Sequence, residues 1–76
     1  MAQKFAVGDK VRFLVYQDAD GLEGNYTEVQ EGEEGVIIGI DFTRPYPYSV
    51  KVEGKPVAHW DDAAWHMEAH ELELAQ

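Results

Sequence analysis

Seven carboxylates fall between Gln17 and Glu34 of this 76-residue chain, and no base lies among them: Asp18, Asp20, Glu23, Glu28, Glu31, Glu33 and Glu34. Acids in that number and density can gather a cation, whether a metal ion or a Lys/Arg-rich protein surface, or can serve simply to keep a small domain soluble. Asp18-Ala19-Asp20-Gly21 begins like a calcium loop. That loop requires Asp or Asn at its fifth position and Gly at its sixth, where this chain has Leu22 and Glu23. The expected work of Asp18 and Asp20 is therefore turn bonding to nearby backbone, with Gly21 taking positive φ.

Three histidines, His59, His66 and His70, raise a second possibility. His66 and His70 are four apart, which on a helix would align both imidazoles, with Asp62 within reach as a third ligand. Only two histidines share that spacing and the chain has no cysteine, so no metal site and no cofactor are assigned. Nucleophilic chemistry finds no support either. There is no thiol, no Gly-x-Ser-x-Gly elbow and no phosphate-binding loop, and Ser49, the sole serine, falls inside a strand-like run with no evident base. The expectation is a non-enzyme.

Aromatic residues offer binding surface instead. Phe42-Thr43-Arg44-Pro45-Tyr46-Pro47-Tyr48 places three rings and a guanidinium on a proline-stiffened segment, and Tyr26 sits within the acidic stretch. Rigid aromatics beside Arg lose little entropy on contact. The same rings would also serve to cover the open end of a small β core.

Charge is segregated. The net charge is −9, distributed as +2 over residues 1–16, −7 over 17–34, +1 over 35–57 and −5 over 58–76. Such a surface repels phosphates and anionic lipid, so direct nucleic-acid or membrane binding is not expected, whereas a basic protein partner is. No apolar run reaches the roughly 20 residues that span a bilayer, and the N-terminus carries no secretory pattern. With no cysteine to form disulfides, a cytoplasmic location is expected.

The elements that must position these groups are strands. Residues 8–16 alternate with Val11, Phe13 and Val15 on one face, and residues 46–52 with Tyr48, Val50 and Val52. Residues 35–41 are almost wholly β-branched; Val36, Ile38 and Ile40 are expected inward, with a bulge or bend at Gly39. Glu53-Gly54 reads as a hairpin turn into a strand over 56–60. Glu71-Leu72-Glu73-Leu74 closes the chain with both leucines inward. Residues 17–34, rich in Gly21, Gly24, Asn25 and Gly32, read as one long exposed acidic loop. Residues 61–70 offer Asp61 or Asp62 as helix cap and a stripe of Trp60, Ala64 and Met67, which predicts a single helical turn or a short 3₁₀ or α segment feeding the last strand.

The skeleton Val7-Gly8-Asp9-Lys10-Val11-Arg12, Gly32-Glu33-Glu34-Gly35-Val36, Tyr48-Ser49-Val50-Lys51-Val52 and His70-Glu71-Leu72-Glu73-Leu74 resembles the SH3-like barrels. These include photosystem I accessory subunits, nitrile hydratase β-type domains and small single-domain phage or bacterial proteins. The resemblance covers most of the chain and implies an all-β, five-stranded, partly open barrel over residues 1–76. It implies no activity, because that fold hosts many functions. The Ala-Leu-Tyr-Asp-Tyr opening and the Trp-Trp pair of signalling SH3 domains are absent, so proline-rich peptide recognition does not carry over.

Taken together, the residues predict a non-catalytic interaction module. It would dock a basic protein surface through Asp18, Asp20, Glu23, Tyr26, Glu28, Glu31, Glu33 and Glu34, backed by Arg44 and Tyr46. The alternative is an acidic mimic of nucleic acid that occupies the groove of a DNA- or RNA-binding protein.

Overall fold

Alternation decides the first strand in the computed structural model, which describes residues 4–58 and 62–75. In β1 (Lys10–Phe13) Val11 and Phe13 are wholly buried, while Lys10 and Arg12 look outward. The strand ends at Phe13, three residues short of the predicted end, and Val15 is half-buried. Further along come β2 (Gln17–Asp20), β3 (Tyr26–Val29), β4 (Glu34–Ile40), β5 (Tyr48–Lys51), β6 (Trp65–Met67) and β7 (Leu72–Leu74). The chain is all-β, and its only helical features among the described residues are two 3₁₀ turns, Leu22–Gly24 and Ala69–Glu71. Among those residues no helix is long and apolar enough to cross a membrane.

Five strands form one antiparallel sheet in the order β6-β5-β4-β1-β7, and β2 with β3 forms a second, two-stranded sheet. The edge strands β6 and β7 do not pair with each other, so the larger sheet is not closed. Its inner face carries the core. Phe5 stacks edge-on to Tyr48 at 5.3 Å and Phe13 to Trp65 at 6.5 Å, with Ile37, Val50, Met67 and Leu72 packed around them. T-shaped ring pairs of this kind add to the area they bury.

Several expectations need correction. Residues 17–34 are not one irregular loop, since β2 and β3 pair in register Gln17↔Val29, Asp18↔Glu28, Ala19↔Thr27 and Asp20↔Tyr26. Strand propensity is low for Asp and Gly, but alternation is respected. Asp18 and Asp20 point out, while Ala19 packs against the core and Val29 is wholly buried. The hairpin turns through Leu22–Gly24, where Glu23 and Gly24 take left-handed φ of 61° and 81°. Gly21, expected at positive φ, is extended at −85°, and Asp18 and Asp20 belong to a strand and not to a turn.

The second correction is the phase of β4. Val36 and Ile38 are exposed, whereas Gly35 and Ile37 face inward. Gly35 explains the choice: a Cβ there would lie 2.7 Å from both the Lys51 carbonyl oxygen and a Val50 methyl. Only a glycine permits that close approach of β4 to β5. The register then shifts between Ile37 and Gly39, at the predicted bulge, and Ile40 returns half-buried against the core.

Third, residues 56–58 do not form a strand. Val57 makes a single bridge to Gly21, and the Ala58 amide donates to the Asp20 carbonyl at 2.9 Å, so this segment fastens the hairpin tip to the body. The remainder of that predicted strand, His59 and Trp60, lies outside the described residues.

Fourth, the helical reading of 61–70 gives way to β6, where Trp65 and Met67 alternate inward around His66. Of the expected stripe, Ala64 and Met67 are buried without a helix, and Trp60 is outside the described residues. A short 3₁₀ segment does feed the last strand, as expected, at Ala69–Glu71, closed by a capping box between Glu68 and Glu71. Of the last pair, Leu72 is buried and Leu74 is exposed.

Candidate interaction surface

The fold divides the acids into two populations. Glu33 and Glu34 stand at the start of β4, where the body's cations reach them. Lys55 binds Glu33 at 2.7 and 2.8 Å, and Glu33 also accepts from the Gln30 amide at 2.7 Å. The Lys55 hydrogen bond, followed by that amide, holds the Glu33 carboxyl below its usual range. Glu34 lies 3.6 Å from Lys10 and 3.4 Å from Arg12, and Arg12 makes its closer contact, 2.8 Å, with Glu73. That Glu73 hydrogen bond keeps the guanidinium charged beyond its ordinary range.

The hairpin acids find neutral partners instead. The Tyr16 and Tyr26 hydroxyls lie 2.6 Å apart, with Asp18 3.2 Å from Tyr26 and Glu28 3.2 Å from Tyr16, so two phenol protons alternate among three contacts. The Tyr16 bond first, then desolvation and the adjoining carboxylates, push the Tyr26 phenol well above its ordinary value. Gln30 donates to Glu28 as well. Glu23 stands exposed at the tip, Glu31 is exposed beyond β3, and Asp20 lies outward on β2 opposite Tyr26. Among the described residues no Lys or Arg forms an ion pair with Asp18, Glu23, Glu28 or Glu31.

Arg44 is turned to Asp41 at 3.3 Å, and Asp41 is held low by the Thr43 hydroxyl (2.6 Å) and then by the Thr43 amide (3.0 Å). This bonded turn braces the 41–47 loop. Phe42 leans edge-on to Tyr48 at 5.8 Å, and Tyr46 remains half exposed.

Sequence reasoning missed the cleft that Tyr46 enters. It has a volume of about 510 Å³ and lies between the hairpin and β6. Gln17, Asp18 and Ala19 of β2, Tyr46, Val57, Trp65, His66 and Met67 line it, and Glu68 and Glu71 close one end. A hydrogen bond from Gln17 to Glu71 (3.3 Å) spans hairpin and 3₁₀ turn. The signal lay in two segments 40 or more residues apart, which no local pattern connects. A shallower hollow of about 260 Å³ sits on the outer sheet face around Val36, Lys10 and Lys51.

The histidines do not share a helical face. The His66 side chain is nearly buried and meets Asp62 at 3.3 Å, whereas His70 is exposed beside Glu68 at 3.7 Å. His59 lies outside the described residues. Glu68, His70 and Glu71 do bring potential ligand atoms within 4.8 Å of one another, but both glutamates are already engaged in the capping box. Ser49 has a neighbour that its sequence context did not reveal. It pairs across strands with His66, whose ring meets the Asp62 carboxylate. Burial pushes Asp62 upward, yet the Ala64 amide, His66 and the nearby Ser49 together leave it below the ordinary value. Comparison with models of protein families, with curated proteins and with solved structures returns no match for this chain.

Proposed function

We propose that this chain is a non-catalytic interaction module that docks a basic protein surface through the acidic hairpin, flanked by Tyr26 and the 41–47 loop. One observation carries the reading: Asp18, Glu23, Glu28 and Glu31 have no Lys or Arg partner among the described residues, while Glu33, Glu34, Glu73 and Asp41 do. Uncompensated charge on an ordered hairpin steers a cationic partner and gives up few existing bonds when it arrives. Arg44, Glu33 and Glu34 then act from the margin, through the bonds that brace loop and sheet. An SH3-like barrel is the fold behind this reading. The order β6-β5-β4-β1-β7, the hairpin after β1 and the 3₁₀ turn before β7 support it.

The test is a salt series of binding to an alternating Gly-Lys peptide. One variant is neutralised at Glu23, Glu28 and Glu31, and an equal-charge control at Asp9, Glu53 and Glu73. Docking requires that the hairpin variant lose most of its association rate while the control keeps it; equal losses would reduce the effect to net charge.

A nucleic-acid mimic is the second reading, favoured by the Gln17–Glu71 bond that sets the C-terminal acids beside the hairpin. Mimicry wants carboxylates in extended rows. Duplex DNA competing with the chain for a DNA-binding protein would select it.

A further inference from the structure

We infer that the cleft between hairpin and β6 seats an arginine side chain of the basic partner, an inference that rests on the docking function proposed above. Its lining includes two buried apolar side chains, Val57 and Met67, 2% and 1% exposed. Tyr46, half-exposed on the braced loop, adds an aromatic ring. Carboxylates join them, Asp18 from the hairpin and Glu68 and Glu71 from beside and within the 3₁₀ turn. Among the described residues no Lys or Arg lines the cleft, and the His66 ring that does is engaged with Asp62.

The carboxylates are also held in place. Asp18 accepts from Tyr26, and Glu71 accepts from the Glu68 amide at 2.8 Å and from Gln17 at 3.3 Å. All these donors are neutral, so the negative charge is positioned but not cancelled. Buried apolar side chains, a half-exposed tyrosine ring and fixed acids together match a guanidinium better than an ammonium. The guanidinium is planar, weakly hydrated, stacks on aromatic rings and bonds carboxylates in a fork. An ammonium would lose more hydration on entering and could not stack. The volume of about 510 Å³ falls within the roughly 300–1,000 Å³ of small-ligand sites and leaves room for backbone flanking the side chain.

Alternating Gly-Arg and Gly-Lys peptides of equal length test the inference by titration into the isotope-labelled chain, followed by NMR. The Gly-Arg peptide is expected to bind about tenfold more tightly, shifting the Ala19, Val57 and Met67 signals. Tyr46→Ala and Glu71→Gln should each erase that preference by weakening Gly-Arg binding about tenfold more than Gly-Lys binding. Tyr46→Phe, which keeps the ring, should retain it. Equal affinity for the two peptides, or a preference that survives Tyr46→Ala, overturns the arginine seat while leaving hairpin docking standing. Failure of both peptides to bind overturns docking and seat together.

Discussion

Trp65 donates its indole N–H to the main-chain carbonyl of Lys55 at 3.0 Å, and through Lys55 it is coupled to the base of the acidic hairpin. The Lys55 ammonium holds Glu33, whose own carboxylate receives the Gln30 amide. The same indole packs edge-on to Phe13 in the core. One side chain thus ties β6, the turn after β5 and the hairpin exit together. Trp65→Phe keeps most of the ring area but leaves the carbonyl without its donor. A loss of about 1–3 kcal/mol is expected, against about 3–5 kcal/mol for Trp65→Ala. Urea denaturation measures both, and unchanged stability in Trp65→Phe would show that the hydrogen bond contributes nothing.

Glu33 makes stability depend on acid pH. Because Lys55 and the Gln30 amide hold its carboxyl below the ordinary value of 4.5, the fold keeps it ionised where the unfolded chain has begun to bind a proton. Its contribution is complete above that ordinary value and is lost as pH falls through the depressed one. Glu33→Gln is expected to cost about 1 kcal/mol at neutral pH and to flatten the wild-type decline in melting temperature at acid pH. Parallel pH profiles for the two proteins would sink this assignment.

Tyr26 acts at the opposite end of the scale. Its phenol is raised in the fold by Tyr16, by desolvation and by nearby carboxylates, so the unfolded chain releases that proton first as pH climbs. Stability from this group is present below about pH 10, the ordinary value, and drains away as pH rises toward the folded one. Tyr26→Phe should show a smaller loss of melting temperature between neutral and strongly alkaline pH than the parent does. A spectrophotometric titration should show one fewer late-ionising phenol.

What the sequence disclosed depended on whether a strand carried its own polar markers. Around Val11 and Phe13, the charges of Lys10 and Arg12 announce which face is wet, and in β5 Ser49 and Lys51 do the same. Val36-Ile37-Ile38 carries no such marker, so its phase could be chosen only by tertiary contact, the approach of Gly35 to Val50 and Lys51. Local propensity argued against strands at Asp18-Ala19-Asp20. Burial of Val29 and the bridge from Gly21 to Val57 overrode it. The acids themselves were legible as a group, and their division into paired and unpaired sets was not. That division depends on Lys55, Lys10 and Arg12 folding against Glu33 and Glu34 from distant positions.

The phase of β4 can be measured directly, because the two neighbouring isoleucines should respond oppositely. Ile37 is wholly buried among core side chains, whereas Ile38 is 39% exposed on the outer face. Ile37→Ala should cost about 2–5 kcal/mol, combining lost transfer energy with the cavity left behind. Ile38→Thr keeps a β-branched side chain on the wet face and should change stability by less than about 0.5 kcal/mol. Gly35→Ala is the companion variant, since its added methyl meets the Lys51 carbonyl and a Val50 methyl, forcing β4 and β5 apart. It should destabilise by about 1–3 kcal/mol although it adds apolar volume. Chemical denaturation of the three variants decides the matter: a large loss at Ile38 with tolerance at Ile37 and Gly35 would turn the strand over and carry Glu34 away from Lys10 and Arg12.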